Sequence, residues 1–154
     1  MTNRKILFVD DQWCREDNQD TIIAAFGELF EQGYKFVYDT ARDIWGGYSE
    51  LKVVETIREN SPLCAVVCDM NFTQDIPFSD IYFNRYKKFG KTILKEIVKE
   101  FPDLPVIMHS SESDKDLIQE CLDIGARAWL PKKATLEQLT SALQNCKEVN
   151  ENGR

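Results

Sequence analysis

The sequence predicts an α/β fold, a doubly wound sheet of five parallel strands with helices on both faces. Two observations carry that prediction. Short runs such as Ile6-Leu7-Phe8-Val9 and Ala65-Val66-Val67-Cys68 are apolar at every position, the pattern of strands covered on both faces. Helical patterns, with apolar residues three and four apart, alternate with these runs along the chain. Repeated strand–helix units then require right-handed crossovers and parallel pairing.

The first strand is Lys5–Val9. A helical face follows at Ile22, Ile23, Phe26, Leu29 and Phe30, and Gly33 ends it. Lys35–Tyr38 reads as the second strand. The second helix spans about Ser49 to Asn60, with Val53, Val54 and Ile57 inward and Pro62 beyond its end. Ala65–Cys68 is the third strand. The third helix carries Ile93, Leu94, Ile97, Val98 and Phe101 and stops at Pro102. Val106–Met108 is the fourth strand. Leu117, Ile118, Cys121 and Leu122 mark the fourth helix, which Gly125 closes. Ala128–Leu130 is a short fifth strand. The last helix opens on the capping box Thr135-Leu136-Glu137-Gln138 and turns Leu136, Leu139, Leu143 and Cys146 inward. Its tail, Glu148 to Arg154, is polar and expected to fray.

Two connections exceed the few residues usual between such elements. One is Ala41–Tyr48, containing Trp45 and Gly46-Gly47. The other, Phe72–Phe89, holds Phe78, Ile81, Tyr82, Phe83 and Tyr86, and reads as a lid, a docking surface or extra helix packed on its own domain.

Length and composition bound the rest. With 154 residues, 43% hydrophobic and 29% charged, the chain suits one globular domain over 1–154, its core at about 4–148. Net charge is 19 − 26 = −7, which argues against a general nucleic-acid binder. No stretch has the length of a membrane span and no signal-peptide core opens the chain, so a cytoplasmic location is expected. Cys14, Cys64, Cys68, Cys121 and Cys146 are odd in number and lack C-x-x-C spacing; they read as small hydrophobes in a reducing compartment. Cys14, in a loop near acidic residues, is the one candidate for redox chemistry. The single histidine, His109, cannot anchor a zinc site alone.

Function is read from the strand ends. Asp10 and Asp11 close the first strand and Asp69 closes the third; Ser110 follows the fourth and Lys132 the fifth. Ligands bind outside the carboxyl ends of the strands in open α/β sheets, so these five side chains converge on one edge. Three acids there repel one another unless a cation or proton intervenes. The set suits phosphoryl transfer to a carboxylate, with an aspartate as nucleophile and Mg²⁺ taking oxygens from carboxylates, carbonyls and phosphate. A lysine and a hydroxyl then meet the phosphoryl oxygens.

These residues resemble the receiver domain of two-component response regulators. The resemblance rests on Ile6-Leu7-Phe8-Val9-Asp10-Asp11, on Val66-Val67-Cys68-Asp69, and on Pro105-Val106-Ile107-Met108-His109-Ser110. It continues through Gly125-Ala126-Arg127-Ala128-Trp129-Leu130-Pro131-Lys132 and covers residues 4 to about 148. It implies a flavodoxin-like sheet in the order 2-1-3-4-5. It further implies that Asp69 accepts phosphate from a sensor histidine kinase or phosphotransfer protein. Asp11, Asp69 and the Asn71 carbonyl would bind Mg²⁺, with Asp10 acting through water. Lys132 would pair with Asp69 or its phosphate. Ser110 and Trp129 match positions that report phosphorylation to the face formed by the fourth helix, fifth strand and fifth helix. A downstream protein would be met on that face or on the 72–89 segment. Asn71 and Glu112 resemble the pair that tunes acyl-phosphate hydrolysis in chemotaxis-type single-domain regulators, which implies a short-lived phosphoryl group.

The chain also departs from the family pattern. Phe72-Thr73 stands where Met-Pro is usual, and Lys133 replaces the proline that normally follows the lysine in a cis peptide. Pro131 precedes that lysine instead. A stand-alone regulator is expected, since polar residues end the chain after the fifth helix. Such a molecule is a phospho-acceptor switch that assists its own phosphorylation and dephosphorylation, not a turnover enzyme. The alternatives are a receiver-like binding module that works without phosphorylation, and a small aspartate-nucleophile phosphatase. The phosphatase signature would be Asp-x-Asp, where this chain has Asp10-Asp11-Gln12.

Overall fold

Strands β1 (Lys5–Val9) and β3 (Ala65–Cys68) lie at the centre of the sheet, buried almost throughout, as their unbroken apolar sequences require. In the computed structural model, which describes residues 4–45, 47–72, 88–111 and 113–152, they pair in parallel, Ile6 opposite Ala65 and Val9 opposite Cys68. β2 (Lys35–Asp39) flanks β1, β4 (Val106–Ser110) flanks β3, and β5 (Ala128–Pro131) closes the other edge. The order is β2-β1-β3-β4-β5 with every pairing parallel, as the resemblance implies.

Helices cover both faces. On one side α2 (Glu50–Asn60), α3 (Phe89–Glu100) and α4 (Lys115–Ile124) bury Val53, Ile57, Ile93, Ile97, Leu117 and Cys121 against Leu7, Val66 and Met108. On the other, α1 (Gln19–Phe26), the 3-10 helix that follows it and α5 (Leu136–Asn152) bury Ile22, Phe26, Leu29, Leu139 and Leu143 against Ile6, Phe8 and Ile107. Each such aliphatic side chain contributes about 1.5–3 kcal/mol on leaving water.

The helix ends follow local chemistry. Ser49 caps α2 by accepting from the Lys52 amide at 3.3 Å. The Asp114 carboxylate caps α4 through the Asp116 and Leu117 amides. Thr135 and Gln138 exchange the two bonds of a capping box, 2.9 and 3.2 Å.

Some expectations change. The first helical face is α-helical only to Phe26; Gly27–Gln32 is a 3-10 helix closed by Gly33 at φ +87°. Glycine is a weak α-helix former, and three residues per turn aligns Phe26 with Leu29, which are buried while Ile23 and Phe30 stay largely exposed. Leu122 is likewise exposed and Leu136 half-buried, so fewer residues of these helices face inward than their patterns predict. The polar tail remains helical as far as Asn152. Of the long connections, Gly46 and residues 73–87, which include Phe78, Ile81, Tyr82, Phe83 and Tyr86, lie outside the described residues. Phe72 and Phe89, at the ends of the second connection, are buried against Tyr48, ring centroids 5.5 and 6.1 Å away. No helix among the described residues is long and apolar enough to cross a membrane.

Candidate functional site

Asp10 and Asp11 leave β1 beside Asp69, which leaves β3, because the register pairs Val9 with Cys68. The Asp69 amide donates to the Val9 carbonyl at 2.8 Å, fixing the two strand ends together. Lys132 arrives from beyond β5; its amide donates to the Ser110 carbonyl at 3.2 Å, so Pro131 simply completes the strand and aims the lysine at the acids. The one cis peptide among the described residues is Ser61-Pro62, away from this loop.

A cavity of about 330 Å³ opens at this edge, lined by Asp11, Gln12, Trp13, Asp69, Asn71, Ser111 and Lys132. The Lys132 ammonium donates to Asp10 Oδ2 and stands 3.7 Å from Asp69 Oδ2. It also lies 4.3 Å from the Trp13 ring, an attraction of about 0.5–2 kcal/mol. The other oxygen of Asp10 accepts the Gln12 and Trp13 amides at 2.9 Å each. Asp10 is therefore held as the anchor of Lys132 and of the loop after β1. Asp69 accepts the Met70 amide at 2.7 Å through Oδ1. Burial, reinforced by the neighbouring Asp10 charge and only partly opposed by Lys132, pushes the Asp69 carboxyl up to about 7.

Asp11 is buried and has partners that the sequence reading did not foresee. Its Oδ1 accepts Arg42 Nε at 2.9 Å and its Oδ2 accepts the Tyr48 hydroxyl. Both partners come from the 41–48 connection. The unusual length of that connection was the only hint, because loop residues carry no periodicity that fixes where their side chains point. Gly90 is a second unforeseen contributor. A Cβ there would stand 2.1 Å from the Asp69 carbonyl oxygen and 2.5 Å from Met70 Cα, so glycine alone lets α3 start against the turn that follows β3. A glycine inside a helical pattern is the signal that marks such an approach.

Ser110 ends β4 fully buried, in register with Pro131, and the hydroxyl-bearing residue on the cavity wall is Ser111. Trp129 pairs with Met108 and is half-buried against the core beneath α3 and α4. Glu112 lies outside the described residues. His109 is buried between the Trp13 and Phe26 rings; burial, then the Lys132 charge, hold its imidazole down at about 4. Cys14 is buried as well, its thiol donating to the Phe8 carbonyl at 3.1 Å, and burial pushes that thiol far up. This microenvironment is that of an inert cysteine, the opposite of what redox chemistry needs.

Asp11, Asp69 and Asn71 line the cavity with oxygen-bearing side chains, and the buried Asn71 Oδ1 has no hydrogen-bond partner among the described residues. No three acidic, imidazole or thiol groups among those residues converge closely enough to hold a metal by themselves. Carbonyl, water and phosphoryl oxygens would complete an oxygen site begun by these carboxylates. That mixed oxygen set, with one or two carboxylates, fits Mg²⁺.

A family model for the response regulator receiver domain matches residues 16–144, a span that takes in Asp69, Ser110 and Lys132 and begins just after the acidic pair. No curated protein matches in sequence. Among solved structures, a response regulator receiver domain protein from Clostridium thermocellum is 22% identical with a TM-score of 0.66, covering 96% of each chain. The receiver domain of NtrX from Brucella abortus is 22% identical at TM-score 0.64, covering 93% of this chain and 98% of that one. A CheY-like receiver domain protein from Methanospirillum hungatei is 18% identical at TM-score 0.66, covering 99% and 100%. At these identities the structural likenesses speak for the fold alone. The family match spans most of the chain, and the protein belongs to the response regulator receiver domain family.

Proposed function

We propose that this receiver domain is a phosphorelay response regulator in which Asp69 accepts a phosphoryl group from a sensor histidine kinase or phosphotransfer protein. The observation that supports this most is the pairing of a buried Asp69 with the Lys132 ammonium, 3.7 Å away, beside an oxygen-lined cavity. In the step itself, an Asp69 carboxylate oxygen attacks phosphorus, the phosphorus–nitrogen bond of the donor imidazole breaks, and the imidazole leaves with the bonding pair. Lys132 meets the negative charge on the transferring oxygens, and Asp10 keeps that lysine in place. Asp11, Asp69 and the Asn71 carbonyl are the proposed holders of Mg²⁺, with Asp10 adding a water-mediated contact. When bound, Mg²⁺ supplies positive charge to the carboxylate and phosphoryl oxygens.

The output in this reading is a changed protein-binding surface at α4, β5 and α5 or along the 72–89 segment. Ser110 and Trp129 act as its internal reporters, and Asn71 and Glu112 set a short phosphoryl lifetime. The chain works as one receiver domain, a switch rather than a turnover enzyme, in the cytoplasm. Mass spectrometry after incubation with Mg²⁺ and a small acyl-phosphate donor tests this: wild type gains one phosphoryl mass and Asp69→Asn gains none. A second reading, a receiver fold that binds its partner without phosphorylation, is favoured by the engagement of both Asp11 oxygens with protein groups. Absence of any adduct, with partner binding intact, would select it.

A further inference from the structure

Among the described residues, two cations serve the three carboxylates at the strand ends. Lys132 serves Asp10 and Asp69, and Arg42 serves Asp11. Arg42 does so as half of a built pair. Arg42 and Tyr48 face each other in an antiparallel bridge at the base of the β2–α2 loop. Arg42 Nη2 donates to the Tyr48 hydroxyl at 3.3 Å, and the guanidinium sits 5.1 Å over the same ring. The tyrosine is itself clamped between Phe72 and Phe89.

The loop that presents the pair is tied internally. Asp43 accepts the Trp45 and Gly47 amides through Oδ1, and its own amide donates to the Gly47 carbonyl at 2.9 Å. Ala41 begins the loop at φ +63°, in the left-handed region that a residue with a Cβ adopts only under strain. Its amide is held there by Asp39 at 2.7 Å, and Asp39 is gripped in turn by Lys52 and Thr56 at 2.6 Å each. A buried carboxylate, a strained residue and two aromatic contacts thus all serve to set one guanidinium and one phenol on Asp11.

We propose that Arg42 and Tyr48 form an internal latch on Asp11 that competes with Mg²⁺ for this carboxylate. The inference rests on the Mg²⁺ reading above and adds a regulatory element to it. Both oxygens of Asp11 are engaged, and a dication arriving there meets the guanidinium already bound to Oδ1. Like charges at contact distance repel strongly where water is excluded. Arg42 is the more exposed member of the pair, its side chain 27% exposed, whereas Tyr48 is buried, so the guanidinium is the group that gives way. Metal binding and latch opening are therefore linked, and each weakens the other by the same factor.

Isothermal titration of the purified chain with MgCl₂ tests this, using wild type, Arg42→Gln and Arg42→Lys, with Tyr48→Phe as a second probe that keeps the loop charge intact. Arg42→Gln should tighten Mg²⁺ binding about fivefold or more, the lower end of typical coupling between sites. Arg42→Lys keeps the charge and should restore most of the wild-type affinity. Tyr48→Phe should tighten binding by a smaller factor. Binding by Arg42→Gln where wild type shows none supports the latch equally. Unchanged or weaker binding by both Arg42→Gln and Tyr48→Phe, with wild type binding normally, overturns the latch and leaves the metal site standing. No binding by any of the four proteins overturns the metal site and the latch with it.

Discussion

In metal-free buffer, Asp69→Asn removes a charge that the fold holds against its own environment, and the resulting gain should depend on pH. The carboxyl ionises at about 7 in the folded chain against an ordinary 3.8, because burial first and the Asp10 charge second disfavour the anion. A raised carboxyl binds its proton more tightly in the native state than in the unfolded one. The stability this provides is complete below 3.8 and is lost as pH rises through about 7. At about 1.4 kcal/mol per pH unit, the interval between 3.8 and about 7 amounts to ~4 kcal/mol. Asparagine carries no charge at any pH and has nearly the same shape. The advantage of Asp69→Asn over wild type should therefore grow from ~1.5 kcal/mol near pH ~5 to ~4 kcal/mol near pH ~8. Urea unfolding at both pH values measures it, provided the slope with urea is common to the two proteins. An advantage of equal size at both pH values, or a loss of stability at pH ~8, would refute the electrostatic account of Asp69.

Other expectations follow from neighbouring contacts. Lys132→Met leaves the buried Asp10 carboxylate without its cation and should cost ~3 kcal/mol in urea unfolding, part of it recovered in the double variant with Asp10→Asn. Gly90→Ala drives a Cβ into backbone on β3's exit, where no side chain can yield; a loss of ~2–3 kcal/mol and a lower Tm should result, together with a reduced phosphoryl yield. His109 keeps its imidazole neutral down to about 4, below its ordinary 6.5. The native state then binds fewer protons at this site in that window, a loss as pH drops from 6.5 towards 4 that opposes the Asp69 gain, so the stability of His109→Phe relative to wild type should rise as pH falls through that window in pH-dependent unfolding. Thiol reagents should label Cys14 and Cys68 only at the rate of global unfolding, because burial raises both thiols far above their ordinary range.

The strand ends were the legible part of this molecule. Alternation of buried strand and amphipathic helix fixes which residues leave the sheet at its carboxyl edge, so Asp10, Asp11, Asp69 and Lys132 could be brought together from spacing alone. What spacing cannot supply is the direction of a side chain outside regular structure. Arg42 and Tyr48 reach Asp11 only because the 41–48 loop folds back on itself through Asp43 and the Arg42–Tyr48 bridge. The choice between Ser110 and Ser111 at the cavity wall is of the same kind. β4 runs two residues further than its apolar core, which buries Ser110 and leaves Ser111 at the opening. The change from α-helix to 3-10 helix at Gly27 was hidden for another reason: spacings of three and four are common to both helix types over a single turn.

The most direct test of the central claim is the site and metal dependence of phosphorylation. The chain is treated with a small acyl-phosphate donor, with Mg²⁺ or with excess chelator, and the modified residue is located by borohydride trapping and peptide mass spectrometry. A single phosphoryl group should form on Asp69 with Mg²⁺ and be lost in chelator and in Asp69→Asn. A phosphoryl group on another residue, or one that persists in Asp69→Asn, would contradict it.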